Sequence, residues 1–221
     1  NAYISSYDGT VAVLDTATLS ITKYITVGSY PEGLVVANDK LYIANSGAGR
    51  TNTVSVIDLA KLIEIKKITV IPYPITMAAD DFGNVYVMSA VDYISDSITY
   101  GGMTVIDSKT DLVKSQPAVS VGFNIPITMQ GDFIYFFTLD NKLAVYNAKT
   151  QTFVTGNFIA DGSIITSPMA ITVSPLTGEV FIGDGKDNIS NGNLYAFDKN
   201  GKLEYTLTTG INPGKIVLLN E

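Results

Sequence analysis

Short apolar bursts of about five to eight residues, rich in Val, Ile, Tyr and Thr, recur along the whole chain, and clusters of Gly, Asn, Asp and Pro separate them. β-Branched and aromatic residues at that length fit a pleated, half-buried surface, so the bursts predict strands. One phrase, apolar-x-apolar-apolar-Asp/Asn, closes at Asp15, Asp58, Asp107, Asn147 and Asp198. A second opens at Pro31, Pro74, Pro126, Pro168 and Pro213. A third, built around Tyr3, Tyr42, Tyr86, Tyr135 and Phe181, lies between them. All three keep one order and a period of about 45 residues.

Each repeat therefore reads as four strands: a (proline phrase), b (tyrosine phrase), c (Asp-ended phrase) and d, for example residues 21–28. Proline suits the first residue of a strand, which need not donate to the ladder. The Asp closing strand c predicts an Asx-turn, its carboxylate accepting turn N–H groups. Residues 61–70, KLIEIKKITV, fit a helix by local propensity, but the repeat register assigns them to a strand.

Four-stranded units at this period, apolar on both faces, must bury those faces against one another. The predicted fold is all-β: a β-propeller of four-stranded antiparallel blades, five blades in this chain, forming one domain over residues 1–221. The chain begins at strand b and ends at strand a, so residues 213–220 are expected to complete the first blade as a twentieth strand.

Composition narrows the function. The 221 residues are 46% hydrophobic and carry a formal charge of −7, which disfavours nucleic acid and anionic membrane surfaces as partners. No apolar run approaches the length of a transmembrane helix. Histidine and cysteine are absent, which excludes Ser-His-Asp and Cys-His nucleophiles and the usual His-rich catalytic zinc site. Arg50 is the only arginine, so no arginine cluster can form. A paired-carboxylate glycosidase using Asp92, Asp96, Asp184 or Asp187 is the one enzyme class left open, and a non-enzymatic binding module is the expectation.

Candidate site residues lie in the b–c loops and the d–a connections, which share one face in this reading. The b–c loops vary in length, which points to binding. They carry Arg50 and Asn52 in residues 46–52, Tyr93 and Tyr100 in residues 90–102, and Lys186 in residues 183–192. The d–a connections offer Tyr30, Tyr73, Asn124, Ser167 and Asn212, groups suited to a polar, ring-bearing ligand. Asp184, Asp187 and Asn188 could supply oxygens to Ca²⁺, against the alternative of a solvated polar turn, and no other cofactor is expected. The a–b and c–d turns read as purely structural, and Tyr42, Tyr86 and Tyr135 as packing residues.

Residues 9–45, GTVAVLDTATLSITKYITVGSYPEGLVVANDKLYIAN, resemble the YVTN or YncE-like propeller repeat. Residues 167–220 resemble the C-terminal blades of surface-exposed, lipid-anchored YncE-like propellers of Bacteroidales, a group that includes cobalamin-capturing members. That resemblance implies a seven-bladed ring lacking two N-terminal blades here, or a member that closes with five. It implies a cell-surface protein, lipid-anchored to the outer membrane in its precursor. It also implies capture of a nutrient such as cobalamin for an outer-membrane transporter; a surface-layer or adhesion scaffold binding protein or glycan is the alternative. The chain opens at Asn1 inside a strand-like run, so a longer precursor is expected.

Overall fold

A computed structural model describes residues 1–91, 101–122 and 125–219. These form antiparallel meanders connected by tight turns, with a single 3-10 turn at Gly47–Gly49 as the only helix among the described residues. The chain divides into two compact units, Asn1–Ser120 and Val121–Glu221.

The first unit holds three sheets. The first is three-stranded: β1 (Ala2–Ser6), β2 (Thr10–Asp15) and β3 (Ser20–Thr26). The second runs β4 (Pro31–Ala37), β5 (Lys40–Asn45), β6 (Thr53–Asp58) and β7 (Ile63–Thr69). The third runs β8 (Pro74–Ala79), β9 (Asn84–Ser89), β10 (Gly102–Asp107) and β11 (Leu112–Ser115). The second unit holds two sheets. One is β12 (Ile127–Gln130), β13 (Phe133–Phe137), β14 (Leu143–Asn147) and β15 (Thr152–Thr155). The other is β16 (Pro168–Val173), β17 (Val180–Asp184), β18 (Asn193–Phe197) and β19 (Leu203–Thr208). These are β-propeller blades, and they are called the first to fifth blade below.

The repeat phrases map onto them as the sequence predicts. Strands a open on Pro31, Pro74 and Pro168, and Pro126 stands one residue before β12. Residues 63–69 are a strand, so the repeat register overrides local helix propensity there. The Asp or Asn closing each strand c makes the predicted Asx-turn. Asp58 Oδ1 accepts from Ala60 N and Lys61 N, and Asn147 Oδ1 from Lys149 N and Thr150 N. Asp15, Asp107 and Asp198 do the same in their own turns. Every c–d pair carries a register shift at the same place, for example between Val56 and Ile57, which bends the outer strand.

The core lies between blades, not within them. Val11, Val13 and Ile25 of the first blade pack with Leu41, Ile43 and Ile57 of the second. Tyr42, Val54 and Val56 of the second meet Val85, Val87 and Ile106 of the third. In the second unit Phe137 and Leu143 join Ile171, Val180, Ile182 and Phe197. Each such fully buried side chain contributes about 1.5–3 kcal/mol, which a lone sheet could not recover.

The closing strand is a correction. Residues 213–219 form no strand, the first sheet has three members, and the described strands number nineteen. Val217 and Leu219 are 70% and 88% exposed and Ile216 and Leu218 only half-buried, so neither face of this segment is fully buried as a sheet strand's would be.

Candidate functional site

In blades two, three and five, strand b ends in a buried polar side chain that fastens the incoming d–a connection. Asn45 Oδ1 accepts from Gly28 N at 3.0 Å, while its amide donates to Thr53 Oγ1 and Ser55 Oγ. Ser89 Oγ donates to the Ile71 carbonyl at 2.7 Å. Asp184 accepts from Ser167 N at 2.7 Å and from Thr166 N at 3.3 Å. All three residues are at most 1% exposed. The next residue along completes the lock: Ser46 N, Ala90 N and Gly185 N donate to the carbonyls of Tyr30, Tyr73 and Ser167.

Those carbonyls belong to the residue before each strand-a proline. Tyr30, Tyr73 and Asn212, each preceding such a proline, have φ of 46°, 61° and 51°. A tyrosine in the left-handed region costs on the order of 1–3 kcal/mol and persists only where its surroundings enforce it. Here the enforcement is visible. Ser46 donates to the Tyr30 carbonyl from both its N–H and its hydroxyl, each at 3.0 Å. Tyr73 N donates to Thr51 O, and its carbonyl accepts from Ala90 N, both at 2.9 Å.

The 46–52 loop is therefore stitched to Tyr30 at one end and Tyr73 at the other. Gly47 N reaches Ser29 O, Thr51 Oγ1 donates to Asn45 O, and Val70 N reaches Asn52 O. Tyr30, 45% exposed, lies against Tyr7, 65% exposed, with ring centroids 5.5 Å apart. Arg50 is exposed, and no described residue pairs with its guanidinium. Of the sequence candidates, Tyr30, Arg50, Asn52 and Tyr73 thus fall on one continuous strip of the first unit. Tyr73 is half-buried and Asn52 exposed.

Tyr7 is the member that sequence reasoning missed. Its signal was alignment: it follows strand b of the first blade as Ser46 follows strand b of the second. Tyr93, Tyr100, Asn124, Asp92 and Asp96 lie outside the described residues.

The 185–192 loop of the second unit is a separate assembly. Asp184 Oδ1 also accepts from Lys186 N at 3.0 Å, so its buried carboxylate is spent on three backbone N–H groups. Asp187 is exposed and caps its own turn, accepting from Ile189 N, Ser190 N and the Ser190 hydroxyl. Those bonds, the Ser190 N–H first, hold its carboxyl down at about 2. Lys186 and Asn188 both take left-handed backbone. The Asn188 and Asn212 side-chain oxygens converge over Gly185, 3.0 and 2.7 Å from where a Cβ would stand. Asn188 Oδ1 also accepts from Ser167 Oγ at 3.2 Å. The two carboxylates thus serve different backbone segments. Among the described residues no three acidic side chains gather into one cluster.

The a–b turns also shape a crevice. Between the second and third blades, Val36, Asn38, Asp39, Asp81, Phe82 and Lys109 line an open space of about 490 Å³. Asp80 beneath it is occupied by Phe82 N, Asn84 N, the Asn84 amide and the Tyr86 hydroxyl.

No family model matches the chain, and no curated protein matches it. Solved structures do. A hydrazine synthase of Kuenenia stuttgartiensis superposes with a TM-score of 0.78 at 15% identity, over 96% of this chain and 72% of that one. The computationally designed Ika8 protein gives 0.63 at 11% identity, over 99% and 74%. Likeness at such identities shows the fold and carries nothing about activity. No helix among the described residues is long and apolar enough to cross a membrane.

Proposed function

We propose that this protein is a non-enzymatic ligand-binding β-propeller displayed at the cell surface, where it captures a nutrient of the cobalamin class for an outer-membrane transporter. The observation that carries the reading is the exposed Tyr7–Tyr30 pair, with Tyr30 held in the left-handed region, on the same loop assembly as an exposed Arg50 that has no ion-pair partner among the described residues. Strain of that kind concentrates at binding positions. A corrinoid is a broad ring rimmed by amides and tethered to a phosphodiester. Two tyrosine faces offer apolar area to the ring, Asn52 a hydrogen-bonding group, and Arg50 a charge for the phosphodiester. The surface placement, the lipid anchor and the transporter rest on the resemblance of residues 9–45 and 167–220 to surface-exposed propellers.

Calorimetric titration with cyanocobalamin is the test. The expected result is saturable heat at micromolar protein, weakened at least about tenfold in Tyr30→Gly. That variant relieves the left-handed strain, so its melting temperature is expected to hold. Absence of heat with the unaltered protein removes this reading.

One observation favours a scaffold that binds protein or glycan. Every outermost strand exposes two large apolar side chains: Ile21 and Tyr24, Ile63 and Ile65, Leu112 and Val113, Phe153 and Val154, Tyr205 and Leu207. Repeated exposure of this kind marks interaction surfaces. Under this reading, adhesion to a purified matrix glycoprotein survives Tyr30→Gly and is lost when Tyr24 and Ile65 become Glu.

A further inference from the structure

The same repeat positions are filled at one blade junction and open at another. Between the second and third blades, strand-b residues Lys40 and Tyr42 and strand-d residue Lys66 converge on Asp111 in the next blade's c–d turn. Lys40 Nζ stands 2.8 Å from Asp111 Oδ2, and the Tyr42 hydroxyl donates to Asp111 Oδ1. Lys66 Nζ donates to the Asp111 carbonyl at 2.6 Å. Tyr42 is 0% exposed. The repeat places Phe133 where Lys40 stands, Tyr135 where Tyr42 stands, Thr155 where Lys66 stands, and a turn of Lys199, Asn200 and Gly201 where the Asp111 turn stands.

Gly201 brings no side-chain acceptor and can carry none, and its carbonyl is taken by Ala160 N. At φ 78°, a Cβ there would stand 1.9 Å from the Phe158 carbonyl oxygen. The Tyr135 hydroxyl consequently has no hydrogen-bond partner among the described residues, and its ring is half-buried. Burial pushes its pKa up, so the hydroxyl stays protonated and able to donate. In place of the strap there is a crevice of about 380 Å³, walled by Phe133, Tyr135, Val145, Val154 and Phe158. Phe158 meets the Tyr135 ring edge-on, with centroids 5.9 Å apart at 80°. Thr155, Asn157, Asn200 and Lys199 supply the polar groups; among the described residues no acidic side chain lines the crevice.

We propose that this crevice between the fourth and fifth blades is a second binding site, for a small planar aromatic carboxylate. The ring enters among Phe133, Tyr135 and Phe158, and the carboxylate meets Lys199, with the Tyr135 hydroxyl and the Asn157 and Asn200 amides as donors. The size is that of a small-ligand pocket, and the combination of apolar walls with a few polar groups and one cation selects an anionic ring compound. The proposal uses no residue of the Tyr7–Tyr30 strip and does not depend on the function proposed for it.

Equilibrium dialysis with 2-naphthoate and with neutral 2-naphthamide tests it. The unaltered protein is expected to bind one equivalent of 2-naphthoate saturably. Thr155→Phe fills the crevice and is expected to weaken binding at least about tenfold. Lys199 is exposed, so Lys199→Gln folds; it is expected to weaken 2-naphthoate about threefold and leave 2-naphthamide unchanged. Tyr135→Phe is expected to weaken 2-naphthoate while leaving the melting temperature where it was. No saturable binding, or equal binding by Thr155→Phe, overturns the proposal. So does a Tyr135→Phe melting temperature lowered as far as that of Tyr42→Phe, because the hydroxyl would then serve the fold.

Discussion

Asn45 and Ser89 do at residue scale what makes the binding strip possible, and Asp184 does the same for the 185–192 loop of the second unit: each is buried, polar and satisfied, and each holds a backbone turn that would otherwise relax. Removing Asn45 or Asp184 leaves backbone N–H groups unpaired, and removing Ser89 leaves the Ile71 carbonyl unpaired. Asn45→Ala is expected to cost about 2–3 kcal/mol in urea unfolding, whereas Asn52→Ala, at an exposed position, is expected to stay within about 0.5 kcal/mol. Asp187 makes a second prediction. Its folded pKa of about 2 lies below the ordinary 3.8, so its contribution is complete above about pH 4 and is lost as the pH falls through 2. Asp187→Ala should therefore flatten the fall in melting temperature between pH 4 and pH 2; an unchanged acid limb contradicts the capping role. The capping Asp residues were legible in the sequence because an Asx-turn is local and needs only the residues that follow it. The Asn45, Ser89 and Asp184 locks were not: all three end the tyrosine phrase in plain view, but their partners are 17 or 18 residues away and only the fold brings them there.

At the scale of elements, periodicity specified nearly every strand, because period and turn chemistry agree in each repeat. One element escaped. Residues 213–219 carry the proline phrase but lie outside any sheet, and a strand's existence depends on a partner the phrase cannot supply. Tyr135 packs against the core as its phrase predicts, and the crevice beside it was not legible, because the deciding residue is Gly201 in the next blade. The strap that Tyr42 joins gives an element-scale prediction. Asp111→Ala removes two links between the second and third blades, those from Lys40 and Tyr42, and is expected to cost about 2–4 kcal/mol by denaturant unfolding, since it also leaves Lys40 without its carboxylate partner. Gly201→Ala is expected to cost as much or more, through left-handed strain and collision with the Phe158 carbonyl. A loss under about 0.5 kcal/mol in either variant would contradict the junction described here.

For the whole molecule, blades too apolar to stand alone bury their faces between neighbours, and the connecting segments are left to meet solvent. Sequence reasoning reached that architecture, and it gathered Tyr30, Arg50, Asn52 and Tyr73 without knowing that one loop joins them. Ligand identity was not written in any residue, since chemistry on such a scaffold comes from loops and not from the fold. Hydrogen exchange with and without cyanocobalamin tests the account most directly. The account predicts slowed exchange in residues 29–31, 46–52 and 73–74 on addition of the corrinoid, with the outer strands β3, β7 and β11 unaffected. Slowing confined to other segments, or no slowing at saturating corrinoid, would contradict it.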